Sequence, residues 1–143
     1  MDNLLGAIGV GLSFGLSALG AAIAMGACGP AVIGSWKKCF IQNRPAPFIL
    51  VVFSGTCLSN VIYGFIIMSA LAASTTLGGN MLFALGIGSG LTIGAVAITQ
   101  AMCSAAAADA YAETGKGFGN YMMVIGVAET VSLFAMVFTL LLT

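Results

Sequence analysis

In a chain of 143 residues, 60% hydrophobic and only 6% charged, too few charges are present to clothe a water-facing surface, where about 25% is usual. Net charge is zero and histidine is absent. The basic face of a nucleic-acid binder is therefore missing, no nucleic-acid partner is expected, and the commonest general base and metal ligand is excluded. The remaining class is an all-α membrane protein, because lipid offers the backbone no hydrogen-bond partners outside a helix.

Seven of the eight charges mark the ends of four predicted transmembrane helices, each longer than the roughly 20 residues needed to cross the hydrocarbon core. The first, over 4–36, carries Gly6, Gly9, Gly11, Gly15, Gly20, Gly26, Gly29 and Gly34. Asp2 and Asn3 precede it where a signal peptide would be basic. Trp36 beside Lys37 and Lys38 reads as an interfacial anchor, and Arg44 completes a positive link. The second helix, over 48–73, bears bulky Phe48, Phe53 and Phe65. It also holds a polar stripe of Thr56, Ser59, Asn60 and Tyr63, spaced i, i+3, i+4, i+7 on one face. An uncharged link, 74–80, leads to the third helix over 81–108, rich in Gly86, Gly88, Gly90, Gly94 and the alanines of 105–108. After Asp109, Glu113 and Lys116 comes the fourth, over 121–142, with Phe134, Phe138 and one carboxylate, Glu129. The positive-inside rule puts both charged links in the cytoplasm and both termini outside a cell membrane crossed four times.

The two halves repeat. Gly15-Leu16-Ser17 matches Gly90-Leu91-Thr92 at an offset of 75, as do Ala22-Ile23 with Ala97-Ile98 and Cys28 with Cys103. Past the links the offset is 71, pairing Leu58-Ser59 with Glu129-Thr130. Two tandem hairpins, 1–74 and 75–143, are the expected domains, the second carrying the carboxylate. Small residues let membrane helices approach closely. Gly15, Gly20, Gly86, Gly90 and Gly94 are accordingly expected to pack the inner circle of a homo-oligomeric ring, with the bulky helices outside. Ordinary bundle packing is the plainer alternative.

A carboxylate at mid-bilayer costs at least about 2.5 kcal/mol and marks an ion path. Glu129 lies 14 residues after Gly115 and Gln100 lies 15 before it, so the two share a depth roughly 20 Å from the link at about 1.5 Å per residue. The polar stripe reaches the same layer. Glu129, Gln100, Ser59, Asn60 and the backbone of Thr56 can thus form a shell of oxygen ligands for a hard monovalent cation. Tyr63 is placed to donate its hydroxyl to the carboxylate and orient it. Taken singly, each neutral polar residue also reads as interhelical glue.

The chain resembles the duplicated proteolipid, subunit K, of V-type and A-type rotary ATPases. The resemblance runs through Gly-rich 11–27, Asn60-Val61-Ile62-Tyr63-Gly64-Phe65, Ile98-Thr99-Gln100 and Val127-Ala128-Glu129-Thr130. It implies a rotor-ring subunit that turns against a stator subunit bearing a membrane arginine, with central-stalk subunits at the cytoplasmic links. It also implies reversible loading of an ion on Glu129. Sodium-carrying members use a carboxylate, a third-helix glutamine, a threonine–glutamine pair and a backbone carbonyl. Glu129, Gln100, Ser59, Asn60 and Thr56 match these positions, with Ser for Thr and Asn for Gln, and Tyr63 matches their tyrosine. Transported Na+ is the expected cargo, with H+ as the alternative, and no covalent cofactor. No P-loop or GxSxG is present, so ATP chemistry is expected on partner subunits. Cys28, Cys39, Cys57 and Cys103 lack metal-site spacing. A small oligomeric channel with Glu129 as its selectivity carboxylate, or a structural tetraspan, are the rival readings.

Overall fold

The computed structural model describes residues 2–143. The first residue of the hairpin expected over 1–74 lies outside the described residues, as does the side chain of Asp2. The described chain is all helix and turn: α1 (Asp2–Ile41), α2 (Leu50–Gly55), a 3-10 turn (Thr56–Leu58), α3 (Ser59–Ala73), α4 (Gly79–Thr114) and α5 (Phe118–Leu140). The segment α2–turn–α3 is one apolar span, Leu50–Ala73, so four helical stretches are long and apolar enough to cross a membrane. The architecture is thus a multi-pass membrane protein, as expected.

Helix ends differ from expectation at the charged links. α1 runs on through Lys37 and Lys38 to Ile41, because lysine is a good helix former whose stem lies along apolar surface while its ammonium reaches water. The chain then reverses at Asn43, whose φ is +50°. The second reversal is tighter. α4 ends at Gly115 (φ +64°) and α5 begins after Gly117 (φ +84°), two left-handed positions that favour glycine.

α1 and α4 share the largest interface of the bundle, and part of it is backbone against backbone. A Cβ on Gly20 would collide with the Gly94 backbone, and one on Gly86 with the carbonyl of Gly9. A Cβ on Gly90 would stand 2.7 Å from the Leu12 carbonyl oxygen, and one on Gly94 equally close to that of Leu16. Gly15 takes no part in this seam, for it meets nothing within 4 Å in the single chain. The seam of α1 follows Gly9, Ser13, Ser17 and Gly20, and two residues' rotation at about 100° each carries Gly15 to the far side.

Two apolar clusters flank the middle of the seam. One joins Ala21, Ala24, Cys28, Cys57, Ala97 and Ala101. The other, centred on Ile67, Leu71 and Ile93, lies nearer the uncharged link. At the charged-link end, Phe53 packs between Tyr111 and Phe118, with ring centroids 6.3 and 5.5 Å away. Phe53 is fully buried, so it is core and not part of the lipid-facing bulk, whereas Phe48, Phe65, Phe134 and Phe138 are exposed. Trp36 donates its indole N–H to the Pro47 carbonyl at 2.9 Å, bracing the first link. Lys38 pairs with Asp109 at 3.4 Å and with Glu113, while Arg44 donates to the Glu113 carbonyl at 2.9 Å. Both charged links therefore lie at the same end of the bundle. α5 is the least enclosed span, burying only Ile125, Ser132 and Thr139, one residue per seven.

Candidate functional site

That one-in-seven face turns α5 toward α3 and α4, and Glu129 stands beside it, half-buried. Each carboxylate oxygen accepts a hydrogen bond from a different helix. The Tyr63 hydroxyl on α3 donates to Oε1 at 2.7 Å, and Gln100 Nε2 on α4 lies 3.4 Å from Oε2, a long bond. Both donors are neutral, so among the described residues the carboxyl group of Glu129 is met by dipoles and by no cation. Of the two, Tyr63 is the nearer donor.

The remaining polar residues form a chain behind these contacts. Asn60 and Gln100 are completely buried. Asn60 Nδ2 donates to Gln100 Oε1 at 2.7 Å and lies 3.4 Å from the Cys57 carbonyl oxygen. The Ser132 hydroxyl donates to Asn60 Oδ1 at 2.5 Å. Asn60 is therefore one bond removed from the carboxylate, its side chain being too short to bypass Gln100. Ser59 and Thr56 sit on the neighbouring turn. The Ser59 hydroxyl donates to the Thr56 carbonyl at 3.1 Å, and the Thr56 and Ser104 hydroxyls are bonded at 2.7 Å.

Thr56 opens the 3-10 turn, a local tightening that recurs where a helix is strained or functional. Thr56 at its start and Ser59 just after it both border a cleft between the second span and α5. Glu129, Thr56 and Ser59 line that cleft with Gly55 and Gly126, and Val52, Met122 and Ile125 extend it toward the charged links. Gly55 and Gly126 leave it open, since neither has an atom within 4 Å of its Cβ position.

Of the residues expected to meet, Glu129, Gln100 and Tyr63 are in direct contact, Asn60 joins through Gln100, and Ser59 and Thr56 share the cleft without bonding the carboxylate. Two further partners, Ser132 and Ser104, are not among the residues expected from the sequence. Both were within its reach: Ser132 is i+3 from Glu129 and Ser104 is i+4 from Gln100, on the same helix faces.

The family of ATP synthase C subunits matches residues 83–142. The A-type ATP synthase subunit K of Methanocaldococcus jannaschii is 30% identical over 141 residues, covering 97% of this chain. The chain spans 61% of the length of that relative. The matched hairpin holds α5, which bears the carboxylate, and α4, which bears Gln100, whereas Tyr63 on α3 lies outside it. The hairpin that carries Gln100 and Glu129 is thus similar to ATP synthase C subunits, and nearly the whole chain is similar to a subunit K.

Proposed function

We propose that this chain is a rotor-ring subunit of a V/A-type rotary ATPase or ATP synthase, and that Glu129 carries a monovalent ion during rotation. The observation that carries this reading is a single membrane carboxylate held by two neutral donors at the head of an open cleft. A fixed counter-charge would neutralise it permanently. Dipolar support lets it exchange its ion instead. A channel would need polar groups along a whole helix face, whereas these lie in one layer. In this reading a stator arginine helps release the ion, central-stalk subunits dock on the charged links, those links face the cytoplasm, and both termini lie outside.

The repeat supports the ring. An offset of 75 maps the buried α4 face of Gly86, Gly90, Ala97 and Ala101 onto Gly11, Gly15, Ala22 and Gly26 of α1, which are exposed. The unused face of α1 is the counterpart of a face already used on α4. Head-to-tail association of copies would fill it, and such contacts close into rings. Gly15 keeps its ring-packing role in this reading, between copies and not within one.

For the ion we propose Na+, seated by Glu129, the Ser59 hydroxyl and the Thr56 carbonyl, with Gln100 and Asn60 as further ligands. A proton is the second reading, and one observation favours it: the oxygens of Asn60 and Gln100 are both occupied, by Ser132 and Asn60. Sodium would need both amides to turn. Two measurements test the proposal. Glu129→Gln is expected to abolish ion-coupled pumping in reconstituted vesicles while the ring still assembles, and normal pumping would overturn the function. Carbodiimide labelling of Glu129 is expected to slow with sodium far more than with potassium at fixed pH and ionic strength. Equal protection by both ions would leave the proton as cargo.

A further inference from the structure

We propose that Ser132 is a positioning residue for ion exchange at Glu129: through Asn60 it sets which pole of the Gln100 amide faces the carboxylate. The inference deepens the reading of Glu129 as ion carrier and rests on it.

Serine and threonine hydroxyls in apolar helices ordinarily bond a carbonyl one turn back in their own helix. Thr130 and Thr139 on α5 do so, with Val127 and Ala135. Ser132, between them, is fully buried and gives its hydrogen across to Asn60 of the second span instead. That bond has a direction. An oxygen that accepts from Ser132 leaves the Asn60 amide nitrogen to face Gln100, and the Cys57 carbonyl beside that nitrogen reinforces the choice. Reversal would press the Asn60 oxygen toward Cys57 O and Gln100 Oε1, setting acceptor against acceptor. Gln100, its oxygen held by Asn60, then has only its NH2 to show Glu129. Each bond fixes the next, from Ser132 through Asn60 and Gln100 to the carboxylate.

The functional consequence is a bias in the site. An N–H turned to Glu129 supports the empty, charged carboxylate, while an oxygen turned to it would suit a bound cation or a proton. Ser132 can also accept a hydrogen bond, so it permits the inverted order when an ion demands it. The titratable groups around the carboxylate are few. Tyr63 faces it from α3, Cys57 lies behind Asn60, Cys103 sits one turn nearer the link on α4, and Asp109 and Glu113 lie beyond at the charged end.

The test is the rate at which a hydrophobic carbodiimide labels Glu129, read by mass spectrometry on the full chain in lipid vesicles at fixed pH without sodium. Only the protonated carboxyl reacts. Ser132→Ala is expected to speed labelling about threefold to tenfold, the worth of one net hydrogen bond. Ser132→Thr, which keeps the hydroxyl, should restore the rate. Thr130→Ala removes an exposed hydroxyl from the same turn and should change nothing. In a Gln100→Leu background Ser132→Ala should add no further effect, because its action passes through Gln100. An unchanged rate in Ser132→Ala, or an equal increase with and without Gln100, would overturn the proposal. Should the alanine variant fail to insert, Ser132→Cys replaces it: a weak donor of similar size should give a smaller increase, and a wild-type rate counts against the proposal. Failure of the carrier reading would show separately, as pumping by Glu129→Gln whatever these rates are.

Discussion

Tyr63 and Gln100 differ in what they give Glu129, and their variants should differ accordingly. The Tyr63 hydroxyl is the shorter bond, 2.7 Å against 3.4 Å, and a hydrogen bond to a charged group contributes about 1.5–3 kcal/mol. Tyr63→Phe keeps the ring and removes that donor, so carbodiimide labelling of Glu129 at fixed pH is expected to rise about tenfold or more. A wild-type rate would mean that the hydroxyl only fills space. Gln100→Leu should have a smaller effect on labelling and a larger one on sodium protection, if sodium is the cargo. At this scale the sequence was informative about depth: counting from Gly115 places Gln100 beside Glu129, and the i, i+3, i+4, i+7 stripe brings Tyr63 to the same layer. It could not say which atom of an amide points where. That depends on Ser132, whose role becomes visible only when α5 is rotated into place against Asn60.

Among the elements, the α1–α4 seam has the least tolerance for added atoms. Gly86→Ala puts a methyl group against the Gly9 carbonyl, and overpacking of this kind costs about 1–3 kcal/mol. The variant is expected to lose resistance to thermal or detergent unfolding, while Gly15→Ala, with open space around it, should leave the single chain's stability unchanged. Equal losses would contradict the seam described above. Gly15→Leu is a different experiment. It should spare the fold of the chain and block assembly of the ring, as judged by native electrophoresis. The glycine content alone announced close packing of the first and third helices, and their pairing agrees. What it left open was phase: α1 carries small residues on two faces, and nothing in composition says which one is used inside the chain. Phe53 was illegible for a similar reason, since its partners Tyr111 and Phe118 sit on either side of the second link, far away in sequence.

For the whole molecule, the internal repeat turns contacts within one chain into contacts between chains. Exchanging the halves of the pair Gly9–Gly86 by the offset of 75 gives Ala84 on one copy against Gly11 on the next. The pair Leu16–Gly90 likewise gives Leu91 against Gly15. All four positions are exposed in the single chain. A chain carrying both Gly11→Cys and Ala84→Cys, with the four native cysteines replaced, should therefore cross-link into a ladder of multimers under mild oxidation. Each single-cysteine chain should give dimers at most. Monomers alone from the double variant would remove the support that the repeat lends to a ring. The seam at Gly20–Gly94 and Gly9–Gly86 has a mechanical side as well. Where backbone rests on backbone there are no side-chain torsions to absorb a load, so the joint between the two hairpins has little elastic slack. The stiff half of the subunit is therefore the one between the layer of Glu129 and the uncharged link, whereas on the way to Lys38 and Glu113 side chains such as Val32, Phe53 and Tyr111 lie between the helices and can take up a twist.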